Sequence, residues 1–92
     1  MRAMERPDLY VLARFLDILY ENGQPMKKTN LQMRTGLNYA RFTEYFEWMI
    51  SNGFVQRKDE DGVELYSLSP RGLDAYHRLV AWIKETMKGT RL

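Results

Sequence analysis

At Gly53 the apolar residues of this chain stop recurring every three or four positions and begin to alternate. Phe54-Val55-Gln56-Arg57-Lys58 and Val63-Glu64-Leu65-Tyr66-Ser67-Leu68 read as two strands. Between them lies Asp61-Gly62, a dipeptide that favours a tight hairpin. On both sides of this hairpin the period is helical, so the chain sets one small β element among helices.

Pro7 and Asp8 open the first helix, because Pro is tolerated in a first turn and a carboxylate favours that end. Leu9, Leu12, Ala13, Leu16, Leu19 and Tyr20 form one face, and Val11, Phe15 and Ile18 a second stripe beside it. Only Tyr10, Arg14, Asp17 and Glu21 remain as a polar strip, which predicts a helix covered on two sides. Asn22-Gly23 closes it. Thr29-x-x-Gln32 fits a capping box for a short second helix that carries Leu31 and Met33 and stops at Thr35-Gly36. Asn38 caps a third helix running to Asn52-Gly53, with Phe42, Phe46, Met49 and Ile50 as its buried face and Tyr45 at the edge. Ser69-Pro70 starts a fourth. There Leu73, Tyr76, Val80, Ile83 and Met87 make a heptad-like stripe, with Leu79 and Trp82 beside it.

The length, 92 residues, allows one domain over 1–92, with a core at 1–69 and a closing helix at 70–88. A chain this short buries only about 60% of its unfolded surface, so its core is marginal unless a partner adds area. Cys is absent and there is one His, so a disulfide, a thiolate metal site or a His-based cluster is poorly supplied; no metal or cofactor is expected. The N-terminal MRAMERPDLY is too charged for a signal peptide, and no apolar run approaches the ~18 residues of a membrane helix. A cytoplasmic protein with no membrane association is expected. The net charge is only +2, yet Asn22 to Thr43 holds Lys27, Lys28, Arg34 and Arg41 and no acid, while Asp59, Glu60 and Asp61 cluster elsewhere. That separation suggests one polyanion-facing surface.

Three helices, a two-stranded hairpin and a closing helix form the layout of a winged helix-turn-helix, an α+β fold that is mostly helical. Its tight break falls at Thr35-Gly36-Leu37, with Leu37 pointing back to the core. The third helix then offers Asn38, Tyr39, Arg41, Thr43 and Glu44 near its start, where such helices meet base edges. Arg41 suits a guanine or a phosphate, and Asn38 an adenine or only its own helix cap. Tyr39 either braces DNA or packs locally.

The stretch PMKKTNLQMRTGLNYARFTEYFEWMISNGFV, followed by ELYSLSPRGLDAY, resembles the small archaeal winged-helix proteins of the coiled-coil-dimer type. The matching positions are Lys28-Thr29, Gly36-Leu37-Asn38, Tyr45-Phe46, Gly53-Phe54-Val55 and Tyr66-Ser67-Leu68-Ser69-Pro70-Arg71-Gly72. The resemblance covers Leu9 to Tyr76. It implies a double-stranded-DNA binder, dimeric through its last helix, that acts in transcription regulation or on chromatin. Two departures stand out. The last helix has room for little more than two heptads before Gly89, roughly 27 Å at ~1.5 Å per residue. The wing tip is acidic, so any wing contact with phosphate is expected from Arg57 or Lys58.

Other features have plainer readings. Trp48 lies outside the buried face and is expected either folded against the wing or buried by another subunit, the second being preferred. His77 is read as a helix-surface histidine. Ser69 is a helix cap with no neighbouring base, Glu44 and Glu47 are ordinary surface carboxylates, and neither a phosphate loop nor a zinc spacing occurs; no enzyme is expected. The combined expectation is a homodimer on duplex DNA. Asn38, Tyr39, Arg41 and Thr43 lie nearest the bases, Lys27, Lys28, Thr29 and Arg34 along the backbone, and Arg57 and Lys58 beside the adjacent groove. Tyr76, Val80 and Ile83 suit either an intramolecular core against the first helix or a subunit contact. Because Leu79 and Trp82 widen the apolar face, the second is preferred, so that Leu73, Tyr76, Leu79, Val80, Ile83 and Met87 pair the subunits. The competing readings are a protein-docking module, to which Trp48, Glu44, Glu47 and the acidic wing are suited, a chromatin-type protein of little sequence preference, and a repressor with an effector between the first and last helices.

Overall fold

In the computed structural model the described residues are 6–89. The N-terminal stretch read for targeting, and both ends of the 1–92 span, fall partly outside them. Helix α1 (Leu9–Asn22) begins where the sequence places it, because Asp8 accepts the free backbone N–H groups of Tyr10 and Val11. Its two apolar stripes are both used: Val11, Leu12, Ala13, Phe15, Leu16, Ile18 and Leu19 are all buried. Each fully buried Leu, Ile or Phe contributes about 1.5–3 kcal/mol relative to exposure, so α1 is the centre of the core. Asp8→Ala is expected to lower stability by about 1 kcal/mol in urea titration, and Asp8→Asn by much less. Equal losses for both variants would remove the cap as the cause.

Helix α2 (Lys28–Thr35) does not start at the expected capping box. Met26 forms a two-way backbone pair with Tyr66, each N–H donating to the other's carbonyl at 2.8 Å. That bridge fixes the direction of the chain at Met26 and starts the helix immediately after Lys27, so Thr29 lies inside the first turn and exposed. Leu31 is fully buried, whereas Met33 is exposed. The turn after α2 is tied from three directions. Gly36 takes the left-handed conformation at φ 72°, the Thr35 hydroxyl donates to the Gln32 carbonyl and accepts from Leu37 N–H, and Arg14 donates to the Thr35 carbonyl at 3.0 Å. Leu37 packs against the core, as expected.

Helix α3 (Tyr39–Ser51) is capped by Asn38, whose side chain accepts from Arg41 N–H. Its buried face is Phe42, Tyr45, Phe46 and Met49, and Ile50 is left more than a third exposed. The face is turned from the expected one because Tyr45 slides under α1: its ring stacks on Phe15 at 6.1 Å and its hydroxyl accepts from Asp8 N–H at 2.8 Å. Strands β1 (Val55–Glu60) and β2 (Val63–Leu68) pair antiparallel from Val55↔Leu68 to Glu60↔Val63. Asp61 and Gly62 both have positive φ, the paired left-handed geometry a two-residue hairpin demands. Phe54 lies outside β1, one residue before it. Trp48 takes the first of its two readings: it stacks on Phe54 at 5.6 Å, at the base of the wing.

The closing helix runs without a break from α4 (Pro70–Ala75) through a π-helical stretch (Tyr76–Val80) into α5 (Ala81–Thr86). Ser69 caps it by accepting from Gly72 N–H. Tyr76, Val80 and Ile83, expected between subunits, are instead buried inside the protomer, with Tyr76 stacked on Tyr20 of α1 at 3.9 Å. A residue already covered by its own α1 has no surface left for a twin. Lys84 closes the same contact by donating to Asp17 at 2.6 Å and to Glu21 at 3.3 Å. Those carboxylates, Asp17 foremost, push the Lys84 pKa above its ordinary value against a smaller opposing effect of burial. A raised lysine pKa means that this contribution is complete below the unfolded value and fades only in strongly alkaline solution.

Candidate nucleic-acid interface

With Phe42, Tyr45, Phe46 and Met49 turned inward, helical spacing leaves Ala40, Glu44, Glu47 and Ser51 along the outermost line of α3, and all four are exposed. Thr43 is half-buried beside that line, and its hydroxyl oxygen is buried without a partner among the described residues. Tyr39 is 66% exposed at the first turn. Asn38 is exposed, its side-chain oxygen engaged as the cap.

The start of α2 has no side chain capping it. Its first free backbone N–H groups therefore point outward, flanked by Lys27 and Lys28. Lys28 leans its ammonium over the Phe46 ring at 5.0 Å. Together with Glu47, Ile50, Ser51, Arg57 and Tyr66 it lines a cleft of about 510 Å³ that is open to solvent. This cleft is where the start of α2, the outer face of α3 and the wing converge. Burial and the Glu64 carboxylate, which accepts the Tyr66 hydroxyl at 2.8 Å, raise the Tyr66 pKa and keep the phenol protonated.

The remaining expected residues do not gather at that cleft. Lys27, Thr29 and Arg34 line a second opening of about 480 Å³ with Asn22, Met33 and Leu65. Arg34 donates there to the Asn22 side chain at 3.2 Å. Arg41 lies on the flank of α3, its guanidinium 5.3 Å from the Tyr45 ring centre, on the side that faces the start of α1. Arg57 is paired with Glu64 at 3.4 Å and Asp59 at 3.7 Å, and Lys58 with Glu60 at 3.6 Å. These exposed pairs are worth about 0–1 kcal/mol each and can open for a stronger anion. Sequence reasoning missed Glu47 as a cleft residue and Arg14 as the tie on the turn. The first was visible once Tyr45 was placed in the buried face; the second had no local signal.

The closing helix leaves Leu73, Trp82 and Met87 between 41% and 56% exposed, with Leu79 half-buried. Among the described residues, no helix is long and apolar enough to cross a membrane.

The winged helix-turn-helix family matches residues 6–88. Among solved structures, a MarR family transcriptional regulator from Silicibacter pomeroyi DSS-3 is 25% identical with a TM-score of 0.70, the match covering 84% of this chain and 55% of the regulator. The chain thus spans about half the length of that regulator. F93 from STIV, a winged-helix DNA-binding protein, is 12% identical with a TM-score of 0.78 over 94% of this chain and 100% of its own. Sso10a-2, a DNA-binding protein from Sulfolobus solfataricus, is 17% identical with a TM-score of 0.68 over 89% and 83% of the two chains. At these identities the last two share the fold. No curated protein matches the sequence.

Proposed function

The chain belongs to the winged helix-turn-helix family, and on that premise we propose that it binds double-stranded DNA as a homodimer and regulates transcription. The observation that carries this reading is the convergence of the α2 start, the outer face of α3 and the base of the wing around one solvent-open cleft. The free N–H groups of α2 with Lys27, Lys28 and Thr29 hold one phosphate strand, Arg34 extends that contact, and Arg57 and Lys58 reach the far side of the groove. Asn38 and Tyr39 border the base edges, Thr43 lies beside them with its hydroxyl turned inward, and Arg41 guards the flank. The family and the fold likeness to the Silicibacter regulator support a regulatory role, and the likeness to the STIV and Sulfolobus proteins supports kinship with small archaeal winged-helix proteins.

A dimer supplies what one protomer lacks. One copy neutralises only about four to six phosphates, and affinity at physiological salt climbs with that number. The exposed Leu73, Trp82 and Met87, with half-buried Leu79, give a twin an apolar surface. Half-sites one helical turn apart, about 34 Å, suit such a pair.

The test is a salt titration of duplex binding by fluorescence anisotropy, with sedimentation to count subunits. A dimer on DNA should lose affinity with a log–log slope steeper than about −7, against roughly −4 to −5 for one protomer. No duplex affinity at low salt would reject the reading in favour of a protein-docking module, for which the acidic wing and Glu44 are suited.

A further inference from the structure

We propose that Glu44 is the base-reading residue of this surface and that it selects cytosine. The inference rests on the DNA-binding reading and names the substrate feature recognised at the same site.

Glu44 stands in the middle of the outermost line of α3 and is exposed. Among the described residues its carboxylate has neither an ion-pair partner nor a hydrogen-bond donor, unlike Asp17, Glu21, Asp59, Glu60, Glu64 and Asp74, which all face cations. A cation was within reach. Arg41 lies three positions earlier on the same helix, a spacing that brings side chains together, but its guanidinium rests on the Tyr45 ring. Glu47, one turn later, is also exposed and without an ion pair among the described residues, but it lines the cleft with Lys28 and Arg57. Glu44 stands at the centre of the face, away from the cleft and with no cation beside it among the described residues.

A carboxylate there is repelled by phosphate unless it sits at the groove floor and meets a donor. It only accepts hydrogen bonds. In the major groove guanine shows two acceptors, thymine an acceptor and a methyl group, and adenine an amino donor flanked by the N7 acceptor. The amino group of cytosine has an acceptor on one side only, the O6 of its paired guanine, and its own C5–H on the other, so the second carboxylate oxygen can turn to that side without repulsion. One turn before Glu44, Ala40 is exposed and small, so the helix can come close enough for a glutamate to reach that amino group.

The experiment selects binding sites from a randomised duplex pool with the wild-type chain, Glu44→Gln and Glu44→Ala, then measures affinities by anisotropy at fixed salt. Wild type should select a fixed C·G pair in each half-site, and changing that cytosine to adenine should weaken binding about tenfold or more. Glu44→Gln, which both donates and accepts, should shift the choice to adenine; Glu44→Ala should bind the two alike. If all three proteins bind and choose the same site, or if Glu44→Ala merely tightens every duplex equally, the base-reading role is overturned while DNA binding stands. If wild type binds no duplex, both fall together.

Discussion

Gly72→Ala is expected to lower the unfolding free energy by about 3 kcal/mol or more, the upper end of what overpacking causes. For a domain whose total stability is on the order of 5–15 kcal/mol, that is a large fraction, and the midpoint of thermal unfolding should drop by roughly 12–24 °C. A methyl group on Gly72 would fall on the Phe54 carbonyl oxygen and stand 3.0 Å from the Leu68 Cδ2 atom. That carbonyl is not a flexible neighbour. It accepts from Ser69 N–H at 3.0 Å, while Phe54 N–H donates to the Met49 carbonyl at 2.9 Å and the ring is held between Trp48 and Arg71. Relief would require moving the wing base or the start of α4, and with it the cap at Ser69. Gly36→Ala is the useful contrast: a Cβ there meets nothing within 4 Å, but φ is +72°. Its cost is backbone strain alone, about 1–2 kcal/mol. Circular dichroism melts of both variants separate the two causes. A Gly72→Ala loss no larger than that of Gly36→Ala would show that the contact between wing and closing helix yields easily.

Charge reversal at the start of α2 should abolish most duplex affinity. The double variant Lys27→Glu/Lys28→Glu is expected to bind at least about 100-fold more weakly near 0.1 M salt. In a dimer its log–log salt slope should be shallower by about 3 to 4, since four phosphate contacts are lost. Lys27 is exposed, so its change leaves packing intact. Lys28 also lies over Phe46, and losing that cation–π contact accounts for about 0.5–1 kcal/mol of stability. The variant should therefore remain folded, and its melt shows whether it does. Retained affinity with an unchanged slope would move the phosphate contacts away from α2 and take the proposed docking geometry with them.

Asn38 and Ser69 act as caps where the sequence predicts them, Asp8 opens α1 as expected and does so as its cap, and Asp61-Gly62 turns the hairpin. Thr29-x-x-Gln32 has the same kind of signature and fails, because pairing between Met26 and Tyr66, forty positions apart, decides where α2 begins. The candidate interface divides in the same way. Its elements and their order were legible, whereas the distribution of Lys27, Lys28, Arg34 and Arg41 over separate surfaces was not.

The sequence by itself determined the order of helices and strands, the caps of every helix but α2 and the tight turn, since these depend on backbone groups a few residues away. Only the tertiary structure decided which apolar stripe faces α1, why Tyr45 rather than Ile50 is buried, and why Tyr76, Val80 and Ile83 are spent inside the protomer. It also left Glu44 unpaired among the described residues. Periodicity identifies residues that share a side of a helix, but what covers that side depends on contacts between residues distant along the chain.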